Sequence, residues 1–345
     1  MQLKRKTLLI TVMATLVLPA TLLPSIASAS PTHRNDGPES AIETQLLASG
    51  LQGTSGGALG PDGAFYVTEA KLGQITRIDP WSGEKSTFAT GLPKAVIGLG
   101  GAIDVAFLSG TAYALVTVVG PDVGGNAVDG IYRMDDADSF TVIADLGEFS
   151  RNNPPTTSFD LAQGLQFAFD TYRGGFLVTD GHHNRVLRVA SDGDITEVIQ
   201  FGNIVPTGLA VSRRTVYLAE AGPVPHNPAD GKVVSFDVRN PVVTDIASGF
   251  SLLVDVEFNR CGVLYALSQG DSPGDVTAGS PALPNSGELL RVNDDGTMSV
   301  VVDKLDLPTS VDFKRHTAFI VTMGGEVLKV TGLKGGGQHH RSGRC

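Results

Sequence analysis

Gly57-Ala-Leu-Gly-Pro-Asp-Gly-Ala-Phe-Tyr-Val-Thr-Glu69, then Gln74-Ile-Thr-Arg-Ile-Asp79, then Lys85-Ser-Thr-Phe-Ala-Thr90, form one phrase of short strands and turns. Apolar and polar residues alternate, as expected of half-buried strands, and Pro61-Asp62-Gly63 supplies the backbone freedom of a tight hairpin. The phrase recurs near Ile103, Gly164, Thr207, Val254 and Thr309, with second strands centred on Tyr113, Leu177, Tyr217, Tyr265 and Ile320. Four strands per repeat, every 40 to 60 residues or so, read as propeller blades rather than as a sandwich. Outside the N-terminal leader, no segment of ten or more residues shows helical periodicity.

Strand counting then predicts how the ring closes. Blades one to five each carry a fourth strand, at 85–90, 140–145, 195–200, 242–247 and 298–303. Blade six ends after its third strand, Gly325 to Val330. An orphan strand, Ile42 to Ala48, precedes blade one and repeats the fourth-strand phrase. The expectation is an all-β, six-bladed β-propeller whose N-terminal strand completes the last blade, because closure removes exposed strand edges.

Residues 1–29 read as a signal peptide. Lys4, Arg5 and Lys6 precede an apolar run that contains Pro19, and Ala27-Ser28-Ala29 offers the small residues of a cleavage site. The run is short for a membrane span, so no stable membrane insertion is expected. The propeller is assigned to 30–333, and 334–345 to a disordered polar tail. The expected location is secreted or periplasmic. Losing the leader moves the net charge from −10 to about −13, with 23 basic residues against 36 acidic. Such a surface disfavours nucleic acid and anionic lipid. Of the two cysteines, Cys261 and Cys345, the first reads as a small buried residue and the second as a free terminal thiol, although a bridge is chemically allowed in an oxidising compartment.

The hairpins within blades are tight. The long insertions, 119–129, 220–231 and 269–286, join second strands to third strands, and 147–159 joins two blades. All four fall on one face of a propeller, the face expected to carry recognition. The same face collects acids. Glu69, Asp180 and Glu220 end second strands, with Gln269 in that place in blade five, and Asp104 and Asp255 open innermost strands beside the channel. With His182, these form the candidate ligand-binding set at the channel mouth. Their oxygens would suit calcium; the alternative is that they cap loop amides. A His beside an Asp suggests general acid/base chemistry, but Asp180-Gly-His-His-Asn-Arg185 reads rather as a plain hairpin with a polar tip. No nucleophile elbow, zinc helix or phosphate loop occurs, and Trp81 alone is no stacking platform for a nucleic acid or glycan.

Gly60-Pro-Asp-Gly-Ala-Phe-Tyr-Val67, Asp180 to Val189 and Pro206-Thr-Gly-Leu-Ala-Val211 resemble NHL and SMP-30/gluconolactonase-like propeller repeats. Ser248 to Phe258, Gly287 to Val292, Pro308 to Asp312 and Gly325 to Val330 are similar to the ScyD/ScyE family of secreted propellers. At the entry to blade three, Leu161-Ala-Gln-Gly164 stands where that family would carry an Asn-Pro-Tyr-Gly-like phrase. The resemblance transfers no active site. It leaves a non-catalytic binding or scaffold module, monomeric, whose partner is a small molecule, a glycan or an extracytoplasmic protein. The alternative is a calcium-dependent lactonase- or esterase-like hydrolase of the SMP-30 type, in which Asp104, Asp255, Glu69 and Glu220 converge on the ion. A dehydrogenase or lyase propeller would need cationic and aromatic groups in the channel, and the sequence shows none there.

Overall fold

Each repeat folds into one four-stranded antiparallel sheet, and six such sheets follow one another along the chain. The computed structural model describes residues 41–227, 229–274 and 280–333; the leader and the tail lie outside the described residues. The innermost strands are Thr54–Leu59, Gly101–Leu108, Gln166–Tyr172, Pro206–Ser212, Leu253–Phe258 and Pro308–Lys314. Each inner strand packs beside the next, and the sixth returns to the first, so the inner strands form a closed ring around an axis.

The closing strand is Glu43–Ala48. It pairs antiparallel with the third strand of blade six, Val327–Thr331, with Thr44 opposite Val330 and Leu46 opposite Leu328. That third strand starts two residues later than the sequence pattern suggests, because Gly325 turns with φ of +84° and donates to Thr322 O before pairing begins. The fourth strand of blade four is longer than read, Asn240–Phe250.

The core is a set of seams between blades. At the seam of blades six and one, Phe65 and Phe319 stack with ring centroids 5.3 Å apart among Ala48, Leu51, Val67, Val321 and Val327. Polar bonds reinforce the seam: Thr54 Oγ1 donates to Thr322 O at 2.6 Å, and Leu51 N donates to Gly325 O at 3.1 Å. Gly83 lies so close to Leu47 O that a side chain there would displace the closing strand. Between blades two and three a short helix, Leu146–Asn152, is capped by Asp145, whose side chain accepts from Glu148 N at 2.7 Å.

Cys261 is half-buried rather than buried and is not a free thiol. The other cysteine of the chain, Cys345, lies outside the described residues.

Removing residues 1–48 would strip the fourth strand from blade six and expose the edge of Val327–Thr331. The expected result is loss of a cooperative thermal transition and aggregation by light scattering. An unchanged melting temperature would show that closure contributes nothing.

Candidate functional site

An inner strand pairs on one side only. Its other edge faces the channel, and buried N–H groups there need acceptors. Four aspartates supply them. Asp104 Oδ2 accepts from Phe169 N at 3.1 Å, Asp170 Oδ2 from Val211 N at 3.0 Å, Asp255 Oδ2 from Val311 N at 2.8 Å, and Asp312 Oδ2 from Leu59 N at 2.7 Å. In each case the acceptor's blade precedes the donor's, so each carboxylate staples one blade to the next. The second oxygen of each accepts from the N–H of the following residue in its own strand.

The staples repeat after half a turn of the ring. Blades two and five carry Asp104 and Asp255 at one inner-strand level, and blades three and six carry Asp170 and Asp312 two residues further along. Blades one and four carry Gly56 and Gly208, where a Cβ would collide with Asp104 Oδ1 and Asp255 Oδ1. Two channel positions break this symmetry. Glu257 stands where blade two has Ala106, and Ser310 where blade three has Ala168. Both belong to the seam of blades five and six.

Glu257 Oε1 accepts from Phe258 N at 2.7 Å, and its other oxygen receives no hydrogen bond among the described residues. Ser310 is 8% exposed, and its buried Oγ has no hydrogen-bond partner. Both side chains line a central cavity of about 280 Å³ together with Asp104, Asp170, Asp255 and Asp312. No lysine, arginine or histidine is among the lining residues.

Withdrawal from bulk water pushes all five carboxyls upward. Asp104 rises to about 7 and Asp170 and Asp312 to about 6, while Asp255 and Glu257 lie well above the usual carboxylate range. Mutual repulsion adds to this, Asp104 acting on Asp255 and Asp312 acting on Glu257, while the amide donors oppose it.

Of the residues read from the sequence as ligand-binding, Asp104 and Asp255 do meet in this cavity. The other four do not line it. Glu69 is buried and saturated: Gln52 N donates to Oε2 at 2.7 Å, and Gln74 Nε2 and Thr76 Oγ1 donate to Oε1. Asp180 is fully enclosed. It accepts from Leu165 N and His183 N and pairs with Arg185 at 3.4 Å and His183 Nδ1 at 3.2 Å. Arg185, also fully buried, reaches Ser150 Oγ at 2.9 Å and Asn153 O at 2.8 Å. The network fastens the helical connection to blade three, so Asp180 holds structure and has no surface for a ligand. His182 accepts from Asp160 N at 3.1 Å in a loop, and burial depresses its pKa. Glu220 is buried at the end of its strand, and burial raises its carboxyl to about 7. Its counterpart in blade five is Ser268, not Gln269, because Ser268 pairs with Glu288 as Glu220 pairs with Lys232. No group of three or more His, Cys, Asp or Glu side chains placed to hold a metal ion occurs among the described residues.

The sequence reading missed Asp170, Glu257, Ser310 and Asp312. The signal was present: Asp255-Val-Glu257 puts two acids on one face of an inner strand, since strand side chains alternate. Gln163, in the divergent entry to blade three, is fully buried. Both its amide atoms lack partners, and its Oε1 lies with the unpartnered Asp129 Oδ2 around Gly120.

Solved structures share this fold. A gluconolactonase from Xanthomonas campestris aligns with a TM-score of 0.60 at 13% identity, over 84% of this chain and 89% of that one. A PQQ-bound aldose sugar dehydrogenase from Streptomyces coelicolor gives 0.57 at 13%, over 85% and 99%. Virginiamycin B lyase from Staphylococcus aureus gives 0.51 at 13%, over 84% and 99%. At such identities the likeness shows the fold alone. The chain is a six-bladed β-propeller. No family model and no curated protein matches the sequence. Among the described residues, no helix is long and apolar enough to cross a membrane.

Two measurements check this site. A carboxyl whose pKa is raised by folding stabilises the fold fully below its unfolded pKa near 4, and that stability is lost as pH rises through its folded pKa. Melting temperature should therefore fall between about pH 4 and pH 7, and Glu257→Gln should flatten that fall. Separately, Arg185→Leu should cost about 3–5 kcal/mol in urea denaturation, because it leaves Asp180 buried without its guanidinium.

Proposed function

We propose that the protein is an exported binding propeller that takes a small organic cation into its central channel. The reading rests on Glu257, a channel carboxylate with one uncommitted oxygen in a cavity that holds five carboxyls and no basic side chain. An ammonium or guanidinium group would pair with that oxygen and relieve the repulsion among the acids. Ser310 Oγ offers a further acceptor at the same seam. The four staples are spent on backbone amides, so they set the potential of the channel while Glu257 makes the contact.

A binding role is favoured over chemistry because the lining hydroxyl that meets a carboxylate, Thr171 Oγ1 on Asp170 Oδ1 at 3.4 Å, meets one already committed to backbone amides. Export follows from the leader, and the likeness to ScyD/ScyE-type secreted propellers agrees with it.

Thermal denaturation of the mature protein at pH 7.5 tests this with agmatine, choline, calcium chloride and glucose as separate additions. Agmatine or choline should raise the midpoint, by about 2.7 kcal/mol of added stability at a hundredfold excess over Kd. Glu257→Gln should abolish the rise. A response to calcium alone would favour the metal-dependent hydrolase instead, and no response to any cation would end the channel proposal.

A further inference from the structure

The opposite face carries a second concavity, of about 390 Å³, where a turn of blade one meets a turn of blade six. Its lining includes Pro80, Trp81, Lys314, Arg315, His316 and Lys329, and no acid. In a chain this acidic, that grouping of basic side chains runs against the composition.

The cations are held in position rather than neutralised. Lys329 is 8% exposed; its Nζ donates to Pro80 O at 2.9 Å and lies 4.9 Å from the centre of the Trp81 ring. Lys314 Nζ donates to Gly63 O at 2.6 Å and lies 5.9 Å from the same centre. A carbonyl takes only one of the three protons of each ammonium. Among the described residues neither lysine, nor Arg315, forms an ion pair. Asp79, in the same turn, is committed to capping it, accepting from Trp81 N at 2.9 Å and Ser82 N at 2.8 Å. Arg315 occupies the blade-six hairpin with φ of +61°, a left-handed conformation uncommon for a side chain of its size. Trp81 is 78% exposed, so its ring remains largely open.

We infer that this concavity is a binding site for an acidic saccharide, a sugar bearing a carboxylate. The indole offers a flat apolar surface for the C–H face of a pyranose, and two ordered ammonium groups at the ring supply charge-assisted hydrogen bonds to the carboxylate. The aromatic wall beside the two ammonium groups adds selectivity for an anion carried on a ring over a bare inorganic anion. The site is independent of the channel, since none of its residues lines the central cavity.

Trp81 is the only tryptophan of the chain, so intrinsic fluorescence reports on this site alone. Titration with D-glucuronate should change the emission saturably, and added salt should weaken binding because the pairing is electrostatic. Glucose and sodium sulfate should bind at least about tenfold more weakly, the equivalent of one lost charge-assisted contact. Lys314→Gln with Arg315→Gln, on partly or fully exposed positions, should weaken glucuronate by a similar factor while leaving the melting temperature in place. Lys329→Gln should do the same, and if it unfolds the protein the exposed pair still decides. Trp81→Ala, followed by calorimetry, should abolish glucuronate binding. Sulfate binding as tightly as glucuronate, or glucuronate affinity unchanged in the Lys314/Arg315 variant, would overturn the inference.

Discussion

Six strand edges converge on the axis of this molecule, and each brings backbone N–H groups that no sheet neighbour satisfies. At four of the six seams a side chain of the adjoining inner strand satisfies one of them. Asp104, Asp170, Asp255 and Asp312 answer that need. Each joins its own strand to the next one, which makes the carboxylates part of ring closure rather than decoration of a pore. Ring closure in turn depends on Glu43–Ala48, whose pairing buries the Phe65–Phe319 seam.

This solution has an electrostatic consequence. Four acids spent on amides sit in one small cavity and raise one another's proton affinity. The staples repeat every three blades, with Gly56 and Gly208 clearing space for the aspartates beside them. Residues that obey the half-turn repeat are accounted for by the scaffold. Glu257 and Ser310 depart from it, and both leave polar atoms uncommitted in the cavity. A second departure from the general character of the chain lies on the far face, where Lys314 and Lys329 are fixed over Trp81. The channel thus gathers acidic side chains and the far face a basic group, with different ligand chemistries suited to each.

The long loops brace one another as well as extending the surface. Asn203 exchanges side-chain hydrogen bonds with Val224 N and O at 3.0 and 2.8 Å, and Ser272 Oγ donates to His226 O at 3.0 Å. The Asp180–Arg185 pair does the same for the connection into blade three. Buried ion pairs of this kind fix geometry because breaking one partner strands the other. That explains why an acid at a strand end, which from its position alone looks available to a ligand, is consumed by its own blade.

By itself the amino-acid sequence determined the blade count, the hairpins and the closing strand. Those depend on local alternation, turn residues and a count of four, all of which are written within each repeat. It also placed Asp104 and Asp255 beside the channel, because their position in the inner strand is a matter of register. Only the tertiary structure decided what the acids do. Glu69, Asp180 and Glu220 occupy one position in three repeats, yet each meets different surroundings: Glu69 accepts from Gln52 N as well as its own hairpin, and Asp180 from Leu165 N and Ser150 Oγ of the connection before its blade. The cavity likewise gathers Asp170, Glu257, Ser310 and Asp312 from three blades, and the Trp81 site joins the first blade to the last. Such sites exist only once the ring is shut, since side chains more than two hundred residues apart meet solely through closure.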